Sequence, residues 1–478
     1  MTGFFPDDPA SLEFSAEQMQ ELGDAALRRV IEHIASLPQQ PACGQVQAEE
    51  FCRSLREPPP MEPAPLEPLL DLLFRECIPR SYTAAAPGYM AFIPGGGVFP
   101  AALADLISDS ANRYTGIWSV APALVQLEAN VLEWFRDWMQ FPPEARGLLT
   151  SGGSMAAFNA VLCAREKLLG TEIRRGTMYA SSQVHHSVLK SARLAGIFPD
   201  RIRTIPVDGQ FRMRPDRLEE AIRQDLEAGW KPFLAISSAG TTNTGAIDPL
   251  EEIAAISAQH GLWHHVDGAY GAFFHACEEL RPLLRGLPLA DSLTLDPHKG
   301  LFLPYGTGAL LVRDGAALRA THATFADYLP PMPPGEEFYD PSRHGPDLSR
   351  GFPGLRVWLC IKLFGARRIQ AAIAEKRQLA LYAADRLGST PGIVLAAPPR
   401  LSLFAFYLSR PGATKEWENQ ATRRLMDQVI ARGKIMLSGC RVDDRYLARI
   451  CVLSFRNRRE QIELCVQQIR EESEKILS

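Results

Sequence analysis

Apolar positions along the chain change their period near residue 147. Before that point helical spacing dominates. Met19, Leu22, Val30, Ile31 and Ile34 recur on one face of a helix predicted over 15–37, with Ser15 placed to cap it. Pro58, Pro59, Pro60, Pro63, Pro65 and Pro68 follow and predict an extended connector. Residues 1–85 therefore read as a helical appendage whose apolar stripe needs a cover, such as a partner subunit.

Beyond residue 147 short apolar runs alternate with helical patterns. GLLTS, TMYASS, IRTIPVD, FLAISSAGT, LWHHVDGAY, SLTLDPHK and GALLVRD read as strands, and SMAAFNAVLCAREKLL as a helix that Gly170 ends. Asp248, Pro249 and Glu251 carry the pattern of a capped helix start, and Gly261 that of its end. This alternation predicts an α/β domain, a mostly parallel sheet covered on both faces. Residues 321–354 break the rhythm with Pro330, Pro331, Pro333, Pro334, Pro341, Pro346 and Pro353 and no periodicity. A loop of that length in a compact domain is a functional lid or a disordered segment. Helical spacing resumes at 355–363, and 370–478 mix amphipathic helices with strands such as LSLFAFYLS and ARICVLSF. The expected organisation is a helical segment (1–85), a large α/β domain (86–365) and a small C-terminal α+β domain (366–478).

Composition narrows the function. The 478 residues exceed one domain at roughly 100–200 residues per domain. Fifty-one basic against 55 acidic residues, a net charge of −4, argue against a nucleic-acid or anionic-membrane binder. No run of 18 apolar residues exists, and MTGFFPDDPASLEF carries acids where a signal peptide would carry Lys or Arg. The nine cysteines never form a CxxC pair, which fits reduced thiols and a cytoplasmic location rather than disulfides or zinc.

Four short segments could carry chemistry. Ser151-Gly152-Gly153-Ser154 sits between a strand and a helix, where free N–H groups bind anions and glycines admit a phosphate; many ordinary turns look the same. Asp267 closes an apolar strand, where a carboxylate holds a cationic nitrogen, caps a helix or joins a structural salt bridge. Lys299, in Asp296-Pro297-His298-Lys299, also follows an apolar strand and is either a solvated surface lysine or a desolvated nucleophile. His185 and His186 are chain neighbours, which do not share a face, so a two-histidine metal site is not expected; one ring could lie on a flat ligand. Taken together, a phosphate turn, a stacking His, a strand-end Asp and a later Lys make a pyridoxal phosphate site.

With these segments in view, the chain resembles the group II pyridoxal-phosphate-dependent decarboxylases, the family of aromatic-L-amino-acid, histidine and glutamate decarboxylases, and fits the aromatic branch best. PGYMAFIPGGGVFPAALADLI, NRYTGIWSVAPALVQLE, TSGGSMAA, QVHHSV, SAGTTNTGAID, HHVDGAYGA, DPHKG and LSRGFPGLRVW fall in that family's order from about residue 15 onward. The resemblance implies a fold-type-I, aspartate-aminotransferase-like enzyme acting as a homodimer on a small L-amino acid. It implies an imine between pyridoxal 5'-phosphate and Lys299, Asp267 on the pyridine nitrogen, His185 over the ring, and Gly153 and Ser154 on the phosphate. Thr242, Ala269, Ser292, Asp296 and His298 match further cofactor-pocket positions. Phe92, Ile93, Pro94 and Gly95 fall in the substrate-pocket segment, to which His185 also belongs, and Tyr114 and Trp118 fall where the pocket is completed across a dimer interface. A lid tyrosine that protonates the α-carbon matches Tyr339 first and Tyr328 second.

Two positions depart from the family's pattern: Gly300 stands where many members have Trp or Met, and Gly116 where aromatic decarboxylases often place a bulky residue. The expected reaction is α-decarboxylation of an L-amino acid, aromatic in the favoured reading (tryptophan, tyrosine, DOPA or phenylalanine), to amine and CO2. The alternatives are a non-aromatic substrate, an aldehyde-forming decarboxylase, a binding scaffold without turnover, or a serine hydrolase. Ser154, Asp267 and His298 occur in the α/β-hydrolase order, although the last glycine of GxSxG is missing and Lys299 is left without a task.

Overall fold

The computed structural model describes residues 11–44, 47–324, 327, 329–330 and 337–478. The N-terminal helix runs from Ala16 to Ser36. Ser15 caps it in a reciprocal box with Gln18, and none of its residues is buried. The proline-rich stretch is less uniformly extended than its composition predicts. Short helices occupy Glu49–Ser54 and Leu66–Asp71, the second with Pro65 at its cap and Pro68 within its first turn, where no N–H is needed.

Seven strands form the large sheet: β1 (Arg146–Thr150), β2 (Gly176–Ser181), β3 (Ile202–Ile205), β4 (Lys231–Ser238), β5 (Trp263–Asp267), β6 (Ser292–Leu295) and β7 (Gly308–Val312), in the order β1-β7-β6-β5-β4-β2-β3. Only β7 runs antiparallel to its neighbours, β6 and β1. The carboxyl ends of β1, β2, β4, β5 and β6 therefore share one edge, and β7 returns to it with Gly308 beside Thr150. β2 is buried throughout and β4 at all but its first residue, as expected for central strands covered on both faces. On one face Phe135, Phe273, Leu293 and Val357 pack together; on the other Ala156, Ala160, Val161, Phe233 and Trp263 do. The alanines of the helix Gly153–Leu168 let its backbone lie close to the sheet, which fixes the position of its N-terminus.

A second, antiparallel sheet has the order β10-β11-β9-β8, made from β8 (Ile393–Leu395), β9 (Leu403–Leu408), β10 (Ser438–Val442) and β11 (Arg445–Cys451). The helix Ala366–Gly388 joins the two cores, with Ile369 and Ile373 in the first and Leu379 and Leu387 in the second. Met90 is buried in this second core, and Met90 and Cys451 are linked backbone to backbone.

Asp248 does not cap a helix. The helix Leu250–His260 has Pro249 at its cap, and Asp248 is buried between two loops, accepting from Met213 N and Ser238 N, each at 2.7 Å. Two backbone donors satisfy this carboxylate more fully than a helix end would, while burial still raises its pKa to about 6.

Candidate active site

A cavity of about 320 Å³ opens at the carboxyl edge of the large sheet, where ligands of α/β folds bind. It gathers segments far apart in sequence. β1 delivers Ser151, Gly152, Gly153, Ser154 and Met155; β4 delivers Ser238, Gly240, Thr241 and Thr242; β5 delivers Asp267, Ala269 and Tyr270; β6 delivers Asp296, His298 and Lys299. His185 and Ser187 come from the helix start after β2, and Tyr305 and Gly306 from the turn before β7.

Gly153 opens the helix Gly153–Leu168, so its N–H and that of Ser154 have no partner inside the helix. A Cβ on Gly153 would lie 3.0 Å from Asp296 Oδ2 and 3.2 Å from Ala269 Cβ, so only glycine leaves this cradle open. Asp267 ends β5, lines the cavity and accepts from Ala269 N through Oδ1 at 3.2 Å. Lys299 Nζ is 2.8 Å from Asp296 Oδ2, and Asp296 is almost wholly buried, with Oδ1 lacking a hydrogen-bond partner among the described residues. His298 donates from Nδ1 to Thr307 O at 2.7 Å and turns Nε2 toward Asp296 Oδ2 at 3.6 Å. Burial lowers the pKa of His298 more than Asp296 raises it.

His185 caps the following helix. Its Nδ1 takes the Ser187 hydroxyl at 2.7 Å and the Ser187 N–H at 3.4 Å. Burial holds its pKa below the usual imidazole range, against an opposing pull from Asp267, so the ring is neutral at pH 7 with its proton on Nε2.

Most of the predicted cofactor residues meet in this one cavity: Gly153, Ser154, His185, Thr242, Asp267, Ala269, Asp296, His298 and Lys299. Ser292 does not. It begins β6, at the strand end away from the cavity, where its hydroxyl bonds Trp263 Nε1 at 2.7 Å and His265 Nδ1 at 2.8 Å. Nor do Phe92, Pro94, Gly95, Tyr114 and Trp118 line the cavity within one protomer. Gly95 passes beside it, since a Cβ there would fall 2.1 Å from His298 O. Trp118 stacks on Phe338 at 4.3 Å, and a Cβ on Gly116 would meet Leu348 O at 1.9 Å. The small residue at 116 thus makes room for the backbone of the proline-rich segment.

Tyr339, the first match for the lid tyrosine, does not line this cavity within one protomer. It packs on the core near Gln126, Arg136 and Arg146, at the end of β1 opposite the glycine cradle, and its buried hydroxyl has no hydrogen-bond partner among the described residues. Burial pushes its pKa far upward, and its ring lies 4.9 Å from that of His344. The second candidate, Tyr328, lies outside the described residues. Sequence reasoning missed Thr241, Tyr270 and Tyr305 as cavity residues. Thr241 and Tyr270 stand next to named residues in SAGTTNTG and HHVDGAYG, but Tyr305, in a turn between strands, has no such signal.

The serine-hydrolase geometry is not assembled, because His298 is engaged by Thr307 and Asp296 rather than by Ser154 or Asp267. The open glycine cradle at a helix N-terminus, the strand-end carboxylate, the flat neutral histidine and the lysine fit a pyridoxal phosphate in its three parts: phosphate, ring nitrogen and aldehyde. Fold and site together define a fold-type-I pyridoxal-phosphate enzyme. Residues 53–409 match the family model of the pyridoxal-dependent decarboxylase conserved domain, and the chain belongs to that family. It is 31% identical to an aromatic-L-amino-acid decarboxylase of Bacillus atrophaeus over 98% of each chain, and 28% identical to tryptophan decarboxylase 2 of Oryza sativa subsp. japonica over 97% of this chain and 96% of the relative. The crystal structure of Oryza sativa TDC with PLP and tryptamine superposes with a TM-score of 0.91 at 26% identity, covering 97% of this chain and 99% of that one. The protein is a pyridoxal-phosphate-dependent carboxy-lyase acting on an amino acid.

Proposed function

We propose that the enzyme removes the α-carboxylate of an aromatic L-amino acid, giving the amine and CO2. The observation that carries this reading is the convergence of Lys299 and Asp267 on one cavity in a chain that matches aromatic-amino-acid decarboxylases along nearly its whole length. Pyridoxal phosphate, when bound, supplies the electron sink for the carbon–carbon cleavage. Lys299 is the residue that holds it covalently, with the Gly153 and Ser154 N–H groups on its phosphate. Asp267 keeps a proton on the ring nitrogen, because a carboxylate at the strand end favours the cationic form. His185, held neutral by burial, covers the ring without adding charge. Asp296 Oδ2, 2.8 Å from Lys299 Nζ, holds the lysine side chain in the cavity, where it can reach the cofactor's aldehyde.

The working unit in this reading is a cytoplasmic homodimer, with Tyr114, Trp118 and the Phe92–Pro94–Gly95 segment completing the substrate wall across the interface. Supporting it, Met19, Leu27 and Ile31 of the N-terminal helix and Leu106 and Ile107 of the helix Phe99–Ala111 expose large apolar side chains. All nine cysteines are free thiols, and among the described residues no helix is long and apolar enough to cross a membrane.

The test is to assay the purified holoenzyme against the proteinogenic L-amino acids, DOPA and 5-hydroxytryptophan, measuring amine, aldehyde and CO2. Equimolar amine and CO2 from at least one aromatic substrate is expected. Turnover confined to non-aromatic amino acids, or aldehyde as the main product, would overturn the assignment.

A further inference from the structure

Arg449 is 4% exposed and forms no ion pair among the described residues. It lies on β11, in the small sheet, yet its guanidinium is spent on the large sheet's edge. Nε donates to Asn243 O at 3.0 Å, one terminal nitrogen donates to Thr242 O, and the other donates to Ser438 Oγ at 2.9 Å. A buried cation satisfied only by neutral acceptors is costly to keep, and mere packing of two sheets does not require one.

The acceptors show what it is used for. Thr242 lines the cofactor cavity, and Thr241 to Asn243 form a loop between two glycines in left-handed conformations, Gly240 (φ +105°) and Gly245 (φ +74°). Without an external hold, such a loop has more freedom than a strand end. Asn243 also donates to Gln183 Oε1 at 3.1 Å, two residues before His185. On the other side, Ser438 Oγ accepts from Phe92 N at 3.1 Å, and Phe92 is itself a non-glycine residue at φ +52°. One guanidinium thus ties the loop after β4 to the segment that leads past His298.

We propose that Arg449 is a positioning residue, which fixes the Thr241–Asn243 loop against the cofactor and, through Ser438, sets the Phe92 segment that borders the substrate. The inference rests on the cavity around Lys299 being the cofactor site. It predicts two separable effects. Loss of the guanidinium loosens both sides, whereas loss of the Ser438 hydroxyl leaves the two bonds to the cofactor loop in place and loosens the substrate side. A planar fork reaching three acceptors is not replaced by a single ammonium.

The experiment titrates pyridoxal phosphate into the apo forms of the wild type, Arg449→Lys, Arg449→Gln and Ser438→Ala. It follows the visible circular dichroism of the bound cofactor, thermal melting, and KM and kcat. Both Arg449 variants should weaken cofactor binding by roughly tenfold to a hundredfold, the range of lost charge-assisted hydrogen bonds. Glutamine should be the worse, and both should alter the visible dichroism. Ser438→Ala should bind the cofactor like wild type and raise KM with kcat little changed. A folded Arg449→Lys with wild-type cofactor affinity and dichroism would overturn the proposal, and so would a Ser438→Ala with unchanged KM. Should Arg449→Gln fail to fold, the other two variants decide. Borohydride trapping on a lysine other than Lys299 in the wild type would instead sink the site assignment beneath it.

Discussion

Asp267 and Asp296 show how two carboxylates in one cavity are given different tasks. Asp267 stands at a strand end and lines the cavity; Asp296 is buried and holds Lys299 at 2.8 Å. Asp267→Ala should still bind cofactor but lose the means of keeping the ring nitrogen protonated. Turnover should fall at least ~10²-fold, the lower end for a proton-handling group, and kcat near wild type would make this carboxylate structural. Tyr339→Phe should leave amine yield unchanged and stability no worse, since its buried hydroxyl has no partner among the described residues. A product shift toward aldehyde in that variant would restore Tyr339 to the chemistry. At this scale the sequence was readable wherever a residue closes an apolar strand, as with Asp267 and Lys299. Ser292 lies outside the cavity because a strand four residues long places its two ends roughly 10 Å apart, and only one end faces the cavity. The place of Tyr339 outside one protomer's cavity was not readable, because an aperiodic segment gives no register from which to place a side chain.

Strand β5 carries a second consequence of burial. His264 and His265 lie within it, fully buried, bonded to Ser237 Oγ at 2.7 Å and Ser292 Oγ at 2.8 Å. Burial pushes the pKa of His265 down to about 4 and that of His264 to about 3. The unfolded chain binds these protons near pH 6.5, so between about 6.5 and 4 the unfolded state carries more protons and stability falls as the pH drops. For His265 alone the loss is about 3 kcal/mol across that window. Urea unfolding at pH 7 and pH 4.5 should show it, and His265→Gln should flatten the slope; an unchanged slope would mean that other groups govern acid unfolding. The strand–helix alternation was readable from apolar period and turn residues. The antiparallel direction of β7 was not, because direction depends on the connection after Lys299 and not on the strand's own residues. The capping role expected of Asp248 failed for a related reason: two backbone donors distant in sequence outcompeted the local helix end.

For the molecule as a whole, the exposed apolar face of the helix Ala16–Ser36 is the feature that one protomer leaves unexplained. Deleting residues 1–85 should give aggregates or inactive monomers in sedimentation and activity measurements, and a soluble, active monomer would refute the dimer reading. One cavity forms at the carboxyl edge of the large sheet, and the central question is which side chain in it holds the cofactor. The direct measurement is borohydride reduction of the holoenzyme followed by peptide mass mapping. Reduction should abolish the visible absorption band and leave a reduced cofactor adduct on Lys299; an adduct on any other lysine, or full activity in a colourless protein, would rule out Lys299 as the residue that holds the cofactor.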